Sequence, residues 1–452
     1  MNFKKYIQKF IKKICILLII TILLTPFCVN ANTDIPEVLS PSCILIDATN
    51  GKVIYEKNSQ TQMYPASTTK IMTAILTIEN CNLNDIATVS KTAISSKYVP
   101  EGYTNAKLQH GENFTIAQLL DAMLIPSAND AANVLAEHIS GSIDEFSNLM
   151  NLKASELGCT KTHFVNPSGL HNSSHVSTAY DLSLIAKYAM QNETFRNIVC
   201  KTSCYLPPTD IYPNDDRKFD TTNELLKDEK NSDFNYFYEY ANGIKTGYTE
   251  YANNCIVAGA KKDNTQLICV VLGADDDFYY ESKRAVDCRN LFNYAFSNYN
   301  EKTFLSEDTI LKQIEFDTIN ISNQSEKKIL DIVPEKSLVL KTTTDPKDIT
   351  PIQTINDDLS LPIIKGSIVG KIEYDIDNNH YSINLIANDT ILNSSFMNYL
   401  FDFLIIFFLV FILLYILKFI NGKKTKKQKD KTISSFDYKK LKWVLTTGHN
   451  LN

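Results

Sequence analysis

The chain has 452 residues, 44% hydrophobic and 21% charged, with a formal net charge of −6. That length holds two domains with segments to spare. The charge is uneven: residues 1–31 carry +5 and residues 418–452 carry +8, leaving −19 between them, a balance that excludes nucleic acid as a partner.

In chain order, residues 1–31 read as a signal peptide. Lys4, Lys5, Lys9, Lys12 and Lys13 form a positive start, Cys15 to Val29 an apolar core, and Val29-Asn-Ala31 a small-residue cleavage pattern. An uncleaved N-terminal anchor is the alternative, and either reading exports the body. Pro41 to Tyr55 predicts a hairpin around Asn50-Gly51. Pro65 then leads into a helical stretch from Ala66 that is apolar on nearly every side (Ile71, Met72, Ala74, Ile75, Leu76), the pattern of a central helix. Further helices are predicted over Thr115–Leu124, Asn129–Ser140, Ser142–Leu157 and Ala179–Met190. Strands follow over Ile244–Thr249 and within Asn254–Gly273, the latter broken at Lys261-Lys-Asp-Asn, and then a helix over Asp287–Tyr299. Strands at both ends with helices between predict one antiparallel sheet whose first and last strands meet, covered by helices.

Beyond about Asn300 short alternating runs such as Ser337-Leu-Val-Leu and Lys371-Ile-Glu-Tyr-Asp-Ile predict a small all-β domain. Phe403 to Leu417 carries no charge, and Tyr399 to Ile420 is long enough to cross a bilayer. The lysines after it, Lys423 to Lys431, place the tail in the cytoplasm by the positive-inside bias. The eight cysteines after residue 31 have export-compatible disulfide potential, but their spacing selects no pairing. His171 and His175 have i, i+4 spacing within a loop-like stretch, a weak metal signal.

Three motifs stand in order: Ser67-Thr-Thr-Lys70, Ser127-Ala-Asn129 and Lys245-Thr-Gly247. Each alone is weak, and Ser325-Glu-Lys-Lys328 and Ser382-Ile-Asn384 repeat the first two patterns elsewhere. Together they supply acyl transfer through a serine ester. A serine hydroxyl needs a base within hydrogen-bond reach, and Lys70 lies one helical turn from Ser67. Lysine serves as base when burial and a second cation depress its pKa, and Lys245 is that cation. Ser127 and Asn129 follow Pro126 in a turn that aims both side chains into one cleft; read in isolation, the same tripeptide suits an N-cap. Lys245 on a strand attracts a carboxylate, Thr246 offers a hydroxyl, and Gly247 lets backbone approach closely.

The contexts Tyr64-Pro-Ala-Ser-Thr-Thr-Lys70, Pro126-Ser-Ala-Asn-Asp-Ala-Ala132, Phe164-Val-Asn-Pro-Ser-Gly-Leu170 and Gly243-Ile-Lys-Thr-Gly-Tyr-Thr249 closely resemble the D-alanyl-D-alanine carboxypeptidases, the low-molecular-mass penicillin-binding proteins. The likeness covers about residues 34–300 and extends weakly to Leu361–Gly370. It implies an α+β fold, a β-lactamase/DD-peptidase-like antiparallel sheet flanked by helices, followed by a small all-β domain and a C-terminal transmembrane helix. The expected division is signal peptide 1–31, catalytic domain 32–300, β-rich domain 301–393, membrane helix 399–420 and basic cytoplasmic tail 421–452.

By that resemblance Ser67 is acylated, Lys70 is the base and Ser127 relays a proton. Asn129, Lys245, Thr246 and Gly247 bind substrate, and the oxyanion rests on the N–H groups of Ser67 and Tyr248. The implied substrate is a peptidoglycan stem peptide ending in D-Ala-D-Ala, with β-lactams as covalent inhibitors and neither cofactor nor metal. Some relatives carry an arginine soon after the last sheet strand; Ala274 to Tyr280 has none, a departure for which Arg284 is an unsafe substitute. A DD-endopeptidase, a β-lactamase or a non-catalytic wall-binding protein are the alternatives. The β-lactamase reading lacks a Glu-x-x-Leu-Asn loop between Ser127 and Lys245.

Overall fold

The computed structural model describes residues 35–229, 234–275, 282–319, 324–392 and 399–420. The expected signal segment 1–31 and basic tail 421–452 lie outside the described residues. Two compact units emerge: one runs to Asn300 and includes Lys341–Thr343, the other comprises Glu301–Leu340 and the chain from Thr344.

The first unit opens with the expected hairpin, β1 (Ser42–Asp47) and β2 (Val53–Lys57), whose turn uses Gly51 at φ +82°. A 3-10 turn, Ala66–Thr69, runs into α1 (Lys70–Asn80). The small pair β3 (Ile86–Thr88) and β4 (Asn113–Thr115) precedes α2 (Ile116–Leu124), α3 (Asn129–Ser140) and α4 (Ile143–Glu156). Next come α5 (Ala179–Ala189), α6 (Glu193–Val199) and the short pair β5 (Ser203–Tyr205) and β6 (Lys218–Asp220). Then β7 (Ala241–Thr249), β8 (Asn253–Lys262), β9 (Thr265–Ala274) and α7 (Lys283–Asn298) complete the unit.

The main sheet is antiparallel in the order β2-β1-β9-β8-β7, so the first and last strands do meet, with Leu45 opposite Cys269. Alternation sorts its side chains into two cores. Ile44, Ile46, Ile268 and Val270 join the helices α1 to α6, while Cys43, Leu45, Cys269 and Val271 face Leu291 and Phe292 of α7. Burial on both faces explains why β1 and β9 read as unbroken apolar runs. In α1 every residue from Lys70 to Thr77 is buried, as its all-round apolar pattern predicts.

Three local readings change. The predicted helices that began at Thr115 and Ser142 use those residues as caps: Thr115 and Ser142 accept from the backbone N–H groups of Gln118 and Glu145. The short α6, capped by Asn192, is not foreseen, because seven residues carry too little periodicity to register. Ser67 sits in a 3-10 turn rather than the first turn of an α-helix.

The rest of the chain forms β10 (Asn300–Leu305), β11 (Lys312–Ile319), β12 (Ser325–Pro334), β13 (Leu338–Thr342), β14 (Ile352–Ile355), β15 (Ile368–Ile376) and β16 (Asn379–Ala387), all in the second unit except Asn300 and Lys341–Thr342. Its antiparallel sheet runs β11-β12-β16-β15-β14 over a core that includes Leu330, Ile332, Ile372, Tyr374 and Leu385. The decoy motifs at Ser325 and Ser382 fall on β12 and β16 in this unit. The helix α8, Tyr399–Ile420, has 22 residues, none of its apolar window buried. At ~1.5 Å per residue it spans about 33 Å, a bilayer's hydrocarbon thickness.

Candidate active site

The turn that carries Ser67 is built from Pro65 onward. Ala66 takes φ +47°, and the Thr68 hydroxyl donates to the Pro65 carbonyl at 2.7 Å. A 3-10 turn eclipses i and i+3 side chains, which sets Ser67 over Lys70. Lys70 Nζ lies 2.9 Å from Ser67 Oγ, 2.7 Å from Asn129 Oδ1 and 2.6 Å from the Ser168 carbonyl. Lys70 is fully buried. Burial first, and then the charge of Lys245, hold its pKa well below the ordinary lysine value, against an opposing pull from Asp130. A neutral amine has two N–H donors and one lone pair. With the donors taken by Asn129 and Ser168, the lone pair is left for the Ser67 hydroxyl.

Ser168 belongs to a loop folded around one side chain. Asn166 Oδ1 accepts from the N–H groups of Ser168, Gly169 and Leu170, and Asn166 Nδ2 donates to the Leu170 carbonyl. Thr73 of α1 donates to the Pro167 carbonyl at 2.6 Å. Gly169, at φ +81°, seats this loop on the Ser67 turn: a Cβ there would stand 1.8 Å from the Ala66 carbonyl oxygen. The sequence carried this segment as a family likeness without a role. Its contribution is a backbone carbonyl, which leaves no residue signature.

Ser127 takes φ +73° and lines the cleft; Ala128 is the N-cap of α3 and makes no side-chain cap bond. The capping alternative for Ser127 and Asn129 is therefore set aside, and Asn129 instead turns its amide oxygen to Lys70. The buried Asp130 accepts from the N–H groups of Ala106, Leu108 and Ala131, tying the 103–108 segment beside the cleft.

On β7, Lys245 is buried and donates to the Thr246 carbonyl at 3.0 Å. Burial, then Arg284, push its pKa down to about 7. Thr246 Oγ1 meets Thr222 Oγ1 at 2.5 Å. At Gly247 the strand passes so close to the Ser67 turn that a Cβ would lie 2.9 Å from the Ser67 nitrogen. The close approach seen at Gly247 is to the backbone of Ser67 and Pro65, whereas the sequence reading has it toward a substrate. Tyr248 is 59% exposed at the cleft rim.

Arg284 is brought in from α7. It donates to the Gly247 carbonyl at 3.3 Å and pairs with Glu224 at 2.8 Å. The sequence offered Arg284 only as an unsafe substitute for the arginine of some relatives; it lines the cleft, and its partner Glu224, in the 3-10 turn Glu224–Leu226, had no sequence signal. Ser67, Ser127, Thr222, Thr246, Gly247 and Arg284 share a cleft of about 590 Å³. A smaller cavity of about 230 Å³ beside Ile75, Tyr188 and Phe195 includes none of these groups.

The two histidines part company. His175 Nδ1 accepts from the Val165 N–H, while the His171 ring stacks on Tyr251 at 3.8 Å. Their i, i+4 spacing makes no shared ligand pair.

Residues 29–276 match the family described as D-alanyl-D-alanine carboxypeptidase. The chain is 33% identical over 333 residues to D-alanyl-D-alanine carboxypeptidase DacF of Bacillus subtilis (strain 168), covering 73% of this chain and 79% of that relative. The solved Streptomyces K15 DD-transpeptidase superposes with a TM-score of 0.53 at 30% identity, over 58% of this chain and 99% of its own. Penicillin-binding protein 5 from Haemophilus influenzae shares the fold, with a TM-score of 0.55 at 22% identity over 80% of this chain and 99% of its own. With the family matched over more than half its length, the chain belongs to the D-alanyl-D-alanine carboxypeptidases.

Proposed function

We propose that this serine-type D-Ala-D-Ala carboxypeptidase removes the terminal D-alanine of peptidoglycan stem peptides through an ester on Ser67. The observation that carries the assignment is the Lys70 amine, buried and surrounded by Ser67 Oγ, Asn129 Oδ1 and the Ser168 carbonyl within 2.9 Å. Lys70 takes the Ser67 proton as Oγ attacks the carbonyl of the penultimate D-alanine. The N–H groups of Ser67 and Tyr248 receive the oxyanion. Collapse breaks the C–N bond, and the proton passes through the Ser127 hydroxyl to the departing amine. Water then attacks the ester, giving its proton to the same base, and Ser67 is restored.

Lys245 and Thr246 dock the terminal carboxylate, and Asn129 holds Lys70 and the substrate amide. β-Lactams, which present a strained amide beside a carboxylate, enter the same path and stay on Ser67. We further assign 32–300 to catalysis and 301–393 to a β-rich domain. Tyr399–Ile420 is the single membrane span, with 421–452 cytoplasmic and the catalytic unit on the exported side. Length and the absence of charge across Phe403–Leu417 support the span, and the lysines from Lys423 to Lys431 support the orientation.

The test is to label the full chain in detergent with a fluorescent penicillin and map the adduct. Label on Ser67, lost in Ser67→Ala with folding intact, is the expected result. Label that persists in that variant, or maps to Ser325, overturns the assignment.

A further inference from the structure

We propose that His175 is a positioning residue for acylation: as the neutral Nε2–H tautomer it ties Thr69, the residue before Lys70, to the segment that presents the Ser168 carbonyl, and so fixes the direction of the Lys70 amine. The inference rests on the reading of Ser67 and Lys70 as nucleophile and base, and adds to it a residue outside the three motifs.

The tautomer follows from the partners. The Val165 N–H donates to Nδ1 at 3.0 Å, and a nitrogen that accepts carries no proton. The ring proton is therefore on Nε2, 2.8 Å from Thr69 Oγ1, which accepts it. Protonating the ring would set N–H against N–H at Val165. The surroundings also disfavour the charge: His175 is 2% exposed, and Phe164 lies edge-on at 5.5 Å. Burial, with His163, His171 and Lys70 nearby, brings its pKa down to about 3. The imidazole is a fixed strut across the working range, with no switching role.

What the strut joins gives it consequence. Thr69 is fully buried and stands at the N-cap position of α1, so its side chain fixes where Lys70 leaves the 3-10 turn. Val165 is followed at once by Asn166, whose side chain organises the Ser168 loop. His175 therefore connects the backbone that carries the base to the loop that carries one of the base's two acceptors. Losing either hydrogen bond frees one side to move relative to the other. The lone pair of Lys70 then no longer points steadily at Ser67, and misplacement of about 1 Å at a reacting centre costs on the order of 100-fold.

The experiment compares Thr69→Val, Thr69→Ser and His175→Asn with the parent, all as full chains in detergent. Stopped-flow acylation by a fluorescent penicillin separates the encounter dissociation constant from the acylation rate. Thr69→Val keeps shape and deletes the acceptor; Thr69→Ser restores it; His175→Asn keeps an acceptor for Val165 and loses the Nε2–H donor. The acylation rate is expected to fall about 10- to 100-fold in Thr69→Val and His175→Asn, with the encounter constant within about threefold. The rising limb of the pH–rate profile should move to higher pH, because a loosened amine is better solvated. Thr69→Ser should recover most of the rate.

A merely structural histidine predicts a lower melting temperature with an unchanged rate and pH limb well below it. That result in Thr69→Val overturns the proposal, even if His175→Asn fails to fold. Adduct mapping on the parent separates the two levels. Label away from Ser67 defeats the nucleophile reading, whereas label on Ser67 with an unchanged rate in Thr69→Val defeats the His175 proposal alone.

Discussion

Lys70 and Lys245 are both buried amines, and the proposed mechanism asks opposite things of them. As the proposed base, Lys70 must be neutral to take a proton, so activity is expected to rise as pH climbs through its depressed pKa. As the proposed dock for a carboxylate, Lys245 must be charged, and its pKa is pushed down to about 7 by burial and Arg284. Below that value the ammonium form dominates; above it the charge is lost. For a peptide with a free C-terminus, kcat/KM, which reports the free enzyme, is therefore expected to decline as pH rises through about 7. A C-terminally amidated analogue should lack that limb, since it has no carboxylate to dock. Parallel pH profiles on the two substrates check this, and the same decline in both would remove Lys245 from carboxylate recognition. At this scale the sequence named the side chains to which chemistry is proposed: Lys70 lies within hydrogen-bond reach of Ser67 and Asn129, Ser127 lines the cleft with Ser67, and Lys245 stands on the strand that borders it. It did not show Ser168, which acts through its backbone, nor Glu224, whose partner Arg284 lies sixty residues away.

At the scale of elements, hydrophobic period found the long helices, and the misplacements fell where local hydrogen bonds override periodicity. The 3-10 turn under Ser67 is the consequential case. Its geometry depends on Gly169 and Gly247 pressing against it from two other segments, and no window of sequence around Ser67 contains either. Gly169→Ala should show this directly. A Cβ at 1.8 Å from the Ala66 carbonyl oxygen cannot be accommodated without moving the Ser67 turn. Acylation should be lost together with stability. Gly141→Ala is the control: φ is +75° there too, yet a Cβ meets nothing within 4 Å. It should cost only the left-handed strain, about 1–2 kcal/mol, and leave the acylation rate intact. Penicillin labelling and urea unfolding of both variants measure the difference. Equal losses of acylation in the two would mean that backbone strain, rather than the close approach, governs the turn.

For the whole molecule, the apolar α8 is the one described helix long and apolar enough to cross a bilayer. Truncation at Asn393 should release a soluble protein that still binds penicillin, because none of the site residues lies beyond Arg284. Fractionation and labelling decide it; a truncated chain that still pellets with membranes would assign the anchoring elsewhere. Alternating texture beyond Asn300 announced a β-rich region, and the structure gives it a sheet and core of its own. Its physiological partner leaves no comparable mark, since an exposed sheet face is written in the same alternating code whatever it meets.

The pairing of β1 with β9 also sets a timetable. Leu45 must wait for Cys269, roughly two hundred residues later in synthesis. Closing a loop of that size costs roughly 5 kcal/mol of chain entropy, and contacts this distant slow folding. Until β9 arrives, β1 has an unpaired edge and apolar side chains on both faces, a form open to aggregation or capture. A chain emerging N-terminus first therefore holds Ser67 and Lys70 early but has no cleft to use them in. The strand carrying Lys245 and its sheet neighbours are made last, so the nascent enzyme stays silent until nearly the whole first unit exists.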